Sequence, residues 1–303
     1  MPDPRRGLVF GIAAYAMWGV FPLYWPLLEP AGAVEILAHR MLWSVVTMGL
    51  LVLLLRRTAY FRALLRPGRV RLLLTLAAVV ISVNWVTYIW AVNHGHVVET
   101  SLGYFINPLV TVLMAVLILG ERLRPLQWVA MGVATVAVVV LTVGYGRLPW
   151  VALVLALTFG SYGLCKKTAN VGAVESIAYE TAVIAPFAGA YLAWLALIGE
   201  SNFTGHGAVH VLLFMATGIV TAVPLICFGA AATRVSMVTL GLLQYLAPVI
   251  QFLIGVLVVR EAMPASRWAG FVLVWVALTM FTFEAVTHRR RQLRLTVEAT
   301  TAA

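Results

Sequence analysis

The chain has 303 residues, 62% of them hydrophobic and 11% charged, with a mean hydropathy of +0.98. A soluble globular domain carries about 25% charged residues, so the composition excludes that class and leaves a polytopic membrane protein. The net charge of +10 reads as a topology signal in such a chain, and no nucleic-acid partner is expected.

Runs of about 20 apolar residues cross a bilayer as helices. Barrel strands would alternate polar and apolar residues; this chain instead has unbroken runs such as LVTVLMAVLILG and VATVAVVVLTVG. The fold expected is an all-α membrane protein of ten transmembrane helices, spanning 7–28, 35–55, 72–93, 99–120, 126–144, 149–165, 175–199, 210–232, 236–259 and 264–286. MPDPRRG precedes the first run without a small-residue cleavage site, so that span is expected to be retained. Placing the N-terminus inside leaves only Arg147, Arg260 and Arg267 outside and Arg40 within a span. Both termini and the basic tail, 287–303, are therefore expected in the cytoplasm.

Span 2 carries His39 and Arg40. A charge at a helix centre costs about 2.5–3.5 kcal/mol on insertion scales and usually faces a cavity or a partner. Arg40 is read as cavity-facing, binding an electronegative group of a substrate or ordering an outer gate; the alternative is snorkelling or a structural pair. His39 points to another face and is the weaker candidate, for proton coupling or packing. Trp43 joins the set on this span. Spans 3 and 4 bring Asn84, Tyr88, Asn93, Tyr104 and Asn107; Asn84 and Tyr88 are four apart and share a face. Trp85 and Trp90 are left to the lipid or an interfacial belt. Glu99, beside His94 and His96, reads as a solvated loop residue.

Gly7 with Gly11 and Gly160 with Gly163 read as close-packing positions. Cys165 and Cys227 both fall in apolar spans, so neither a disulfide nor a metal site is indicated. Span 7 holds Glu180, the candidate for proton coupling because an apolar setting disfavours an ionised carboxylate; a salt bridge within the bundle is the alternative. Span 9 offers Gln244 and Tyr245 just before Pro248. Glu121 and Glu261 are expected to pair locally with Arg122 and Arg260.

The two halves repeat. NPLVTVLMAVLILGERLRPLQW (107–128) aligns with APVIQFLIGVLVVREAMPASRW (247–268), placing Pro108, Glu121 and Trp128 on Pro248, Glu261 and Trp268. The same offset puts EILAHR on ESIAYE, so Arg40 meets Glu180. Five spans separate the repeats, so the halves, 7–144 and 149–286, are expected to be inverted in the membrane. Inverted repeats typify secondary transporters, with sites near the midplane. Pro108 and Pro248 are expected to kink their spans and free the carbonyls of Tyr104 and Gln244 toward a cavity.

EILAHRMLWS, NWVTYIWAVNHGHVVETSLGYFINPL, LGERLRPLQW and TAVPLICFGAAATRVSMVTLGLLQYLAP resemble the RarD-type proteins of the EamA branch of the drug/metabolite transporter superfamily. The resemblance covers Arg6 to about Thr287. Arg260-Glu261 departs from the Gly-Glu that related proteins often carry. The resemblance implies two inverted five-helix halves in a bacterial inner membrane and export of small metabolites or drugs. The polar and aromatic candidates suit an amphipathic small molecule, including a zwitterion such as an amino acid. The expected partners are that substrate and the lipid bilayer, with no cofactor, no metal and no catalytic residue. No phosphate-binding loop is present to drive transport. An intramembrane enzyme would need a nucleophile and base, or paired acids, within the spans; a passive channel or assembly factor is the other alternative.

Overall fold

The long apolar runs become α-helices in the computed structural model, which describes residues 4–56, 68–119, 123–235 and 237–301. Helix α1 (Pro4–Gly19) ends earlier than the expected first span; two 3₁₀ turns, Phe21–Leu23 and Trp25–Leu28, carry the chain on, each with a proline in its first positions. A proline there supplies the right φ but ends α-helical hydrogen bonding behind it. Helices α2 (Ala33–Leu54), α3 (Arg69–Asn93), α4 (Val97–Leu119) and α5 (Pro125–Tyr145) follow. Helix α5 starts on a proline and ends at Gly146, whose φ of +66° suits a left-handed cap. Glu121 and Arg122, with their expected pairing, lie outside the described residues.

The second series is α6 (Trp150–Ala169), α7 (Ala173–Leu197), α8 (Ala208–Ala232), α9 (Met237–Leu243), α10 (Leu246–Leu253), a π-helical turn (Ile254–Val258) and α11 (Ala265–Thr301). Two expectations are corrected here. Span 9 is not one kinked helix: it breaks at Gln244 and Tyr245, and Pro248 sits in the first turn of α10, where a missing N–H costs little. Pro108, by contrast, lies inside the continuous α4. The helix expected to end at residue 286 runs on to Thr301, through a tail rich in good helix formers.

Among the described residues, nine helical stretches are long and apolar enough to cross a membrane. Helix α6, the sixth expected span, falls short, with Lys166 and Lys167 in its last turn. The outer surface of the bundle shows Leu117, Val143 and Leu197, which lipid can cover because the helix backbone satisfies itself. The chain is an all-α membrane protein.

The most extensive packing runs between the two series, in reciprocal pairs. Helix α1 lies against α8, and α3 against α6; α2 faces α7, and α5 faces α11. Likewise α4 packs on α6 while α1 packs on α10. The α2–α8 approach is close at Gly218, where any Cβ would collide with the Trp43 carbonyl and Thr47. The glycine expectation holds at Gly7 and Gly11, whose added Cβ would meet Arg234 at 2.5 Å and Leu243 at 2.6 Å, but not at Gly163, which faces open space.

Candidate functional site

A cavity of about 400 Å³ lies between the two series. It is walled by single faces of several helices. Ile81, Asn84, Trp85 and Tyr88 come from α3, and Phe159, Tyr162, Gly163 and Lys166 from α6. Both sets follow the i, i+3, i+4, i+7 spacing of one helical stripe.

Arg40 enters the cavity wall from the second turn of α2 and is 3% exposed. Its Nε donates to Thr221 Oγ1 at 3.0 Å, and Thr221 passes its own proton to the Thr217 carbonyl at 2.9 Å. The guanidinium carbon lies 3.6 Å from the Trp85 ring centroid and 5.0 Å from that of Trp25. Guanidinium stacking on indole is favourable but leaves the charge in place. Among the described residues no carboxylate forms an ion pair with Arg40.

Glu180 and Lys166 line the same cavity, joined at 2.7 Å. The second Glu180 oxygen accepts from the Tyr162 hydroxyl at 3.0 Å, and Lys166 also donates to Ser176. Glu180, for which the sequence left a salt bridge within the bundle as the alternative to proton coupling, thus has both oxygens engaged.

Asn84 is a structural tie. Its amide nitrogen donates to the Leu155 carbonyl at 3.0 Å and to Thr158 at 2.9 Å, and its oxygen accepts from Tyr104 at 3.1 Å. One side chain so joins α3, α4 and α6 beside the cavity. The buried hydroxyl of Tyr88 finds no partner.

The structure brings Arg40, Asn84, Tyr88, Tyr104, Asn107, Gln244, Glu180 and Pro248 to one wall. Pro108, His39, Trp43, Asn93 and Tyr245 are not among its lining residues. His39 stacks on Phe203 and leans on Phe214, with ring centroids 4.6 and 4.5 Å away, one position along the helix from Arg40 and so on another face. Trp43 lies at the α2–α8 contact, Asn93 ends α3, and Tyr245 packs into the apolar cluster around Phe105 and Phe252. Trp85, expected to face lipid, is the ring under Arg40; Trp90 packs on Trp150 and His94. Lys166 and Trp85 were missed, although each completes the helical stripe of residues around it.

At the end of the bundle that holds the α3–α4 turn, three carboxylates latch segments together. Glu35 accepts from the Asn202 backbone at 2.7 Å and from its side chain at 2.9 Å. Glu99 is not solvated but 1% exposed, held by Arg147 at 2.7 Å and accepting from Val151 N–H at 3.0 Å. Glu261 does not pair with Arg260; it accepts from Val98 N–H at 3.0 Å, capping the start of α4. Burial pushes the Glu261 carboxyl up to about 7, against the pull of the Val98 and Val97 amides and Arg267. Nearby, burial holds the His96 imidazole below its ordinary value, and Arg147 acts the same way. Among the described residues no three His, Cys, Asp or Glu side chains are grouped to hold a metal.

A family model described as the EamA-like transporter family matches residues 5–143. Protein RarD of Streptomyces exfoliatus is 58% identical over 99% of this chain and 95% of its own length. An uncharacterized transporter of Pseudomonas aeruginosa is 43% identical over 95% of this chain and 96% of its own. One solved crystal structure covers 92% of this chain and 98% of its own at 19% identity, with a TM-score of 0.60, a likeness of fold.

Proposed function

We propose a mechanism for a chain that belongs to the EamA-like transporter family, in its RarD-type branch. Membership makes it a multi-pass bacterial membrane transporter of small molecules. The finer reading is that it exports small amphipathic metabolites or drugs across the inner membrane, with both termini in the cytoplasm. The two inverted halves rock about the central cavity in alternating access. The observation that carries this is a cavity between reciprocally packed helix series, lined by Arg40, Lys166 and Glu180.

In this reading Arg40 anchors the substrate and the aromatic rings hold its apolar body. Glu180 takes up and releases the coupling proton: losing Lys166 or Tyr162 during the rocking motion removes what stabilises its ionised form. The carboxylate latches at the α3–α4 end hold that end closed while the cavity is open elsewhere. Transport, not catalysis, is the activity proposed.

The test is proton movement in proteoliposomes carrying the purified protein, a pH gradient and an internal pH dye. Phenylalanine, uridine, thiamphenicol and benzenesulfonate are added in turn. At least one compound should discharge the gradient with wild type, and none with Glu180→Gln. A compound that is translocated with no dye response would end the proton-coupled reading. A Glu180→Gln protein that still discharges the gradient would remove Glu180 from it.

A further inference from the structure

Among the described residues, the cavity has three charged side chains on its wall, Arg40, Lys166 and Glu180. Lys166 and Glu180 neutralise one another at 2.7 Å, with Tyr162 donating to Glu180 and Ser176 accepting from Lys166. Among the described residues, the partners of Arg40 are a hydroxyl and ring faces. A hydroxyl and π-faces lower the cost of a buried cation without cancelling its charge. Among the described residues, the cavity wall therefore carries one uncompensated positive charge.

We infer that the substrate is a net anion with a flat apolar body, an aromatic carboxylate being the simplest member of the class, and that zwitterions and cations are selected against. This rests on the reading of the cavity as the transport site and narrows it. An anionic group docked on Arg40 would supply the missing counter-charge, and the guanidinium fork matches a carboxylate. Tyr88, whose buried hydroxyl has no partner among the described residues, lines the same cavity. The ammonium of an amino acid would need Glu180, whose charge Lys166 already neutralises at 2.7 Å. Displacing Lys166 would only exchange one unpaired cation for another. The zwitterion that the sequence reading included among amphipathic candidates is thus disfavoured by the wall itself. The rings of Tyr15, Trp18, Phe159 and Phe228 on the remaining wall suit a planar body, and about 400 Å³ is in the range of small-molecule pockets, about 300–1,000 Å³.

The experiment is thermal unfolding of the purified full-length protein titrated with four compounds sharing one ring system: indole-3-propionate, its primary amide, tryptophan and tryptamine. A ligand that binds only the folded state raises apparent stability by mass action. Indole-3-propionate should bind at least about tenfold more tightly than the other three, a difference of about 1.4 kcal/mol. Arg40→Gln should reduce that preference to nothing while the amide still binds, and Arg40→Lys should retain part of it. The wild-type ranking needs no variant to fold. Tryptophan or tryptamine binding as tightly as the anion would overturn the inference and leave the cavity intact as a site, as would an anion preference that survives in Arg40→Gln. No binding by any of the four would instead sink the cavity as a small-molecule site, and the transport mechanism with it.

Discussion

The Arg40 guanidinium lies 3.6 Å over the Trp85 ring while the bundle's other cavity cation, Lys166, lies 2.7 Å from a carboxylate. One cation is held by a face and the other by an opposite charge, and the two should respond differently to removal.

Arg40→Met should leave thermal stability unchanged or raise it by about 0–2 kcal/mol, because replacing a buried charge by an apolar side chain of similar length removes a desolvation cost. Thr221 keeps its bond to Thr217. Transport should be lost. Unfolding in detergent beside a transport assay checks both, and a large loss of stability would show Arg40 to be a structural brace.

Glu180→Gln should destabilise by about 2 kcal/mol, less than a fully buried broken pair because the Lys166 side chain is 20% exposed. Lys166→Met combined with Glu180→Gln should recover most of that loss. A double-mutant cycle on unfolding free energies reads the coupling directly.

Glu261 makes stability depend on pH. Its folded value, about 7, lies above the ordinary 4.5, so the folded protein binds the proton more tightly. The stabilisation is complete below about pH 4.5 and is lost as pH rises through 7. Between pH 5 and 8 the unfolding free energy should fall by an amount on the order of 2 kcal/mol after solvent screening is allowed for. Glu261→Gln keeps an acceptor for Val98 N–H and should flatten the profile; an unchanged slope would assign the dependence to another group.

Arg260 sits at φ +58°, in the left-handed region where side chains are strained. Arg260→Gly should raise stability by about 0.5–1 kcal/mol, the gain in backbone freedom being offset in part by the looser unfolded chain. The Gly-Glu that resembling sequences often carry would then owe its glycine to this turn.

Two glycines should part company. Gly218→Ala forces a methyl into the Trp43 carbonyl and should cost about 1–3 kcal/mol. Gly163→Ala meets nothing within 4 Å and should leave stability alone while narrowing the cavity. Unfolding midpoints of the two variants decide it.

The helices were legible in the sequence because hydropathy is a property of the segment itself. The polar side of the cavity was legible only in part. Arg40 and Glu180 stood out as charges inside apolar runs, but Lys166 passed as a topology signal at a helix end, and only the stripe Phe159, Tyr162, Gly163, Lys166 marks its face. The latches of Glu35, Glu99 and Glu261 depend on backbone amides 167, 52 and 163 residues away. No local pattern encodes a partner at such separations. The break at Gln244 and Tyr245 was read as a proline kink because a proline in the first turn and one in mid-helix look alike until the helix start is known.

Arg40 and its hydrogen-bond partner Thr221 are 181 residues apart in the chain. At about 5–20 residues per second, a ribosome takes roughly 10–40 s to supply that partner. During this interval α2 sits in the membrane with its guanidinium lacking the threonine, and α1 lacks both α8 and α10. Biosynthesis therefore passes through a half-made species in which the rings of Phe21, Trp25 and Trp85, all from the first half, are available to shelter the intramembrane charge before Thr221 arrives.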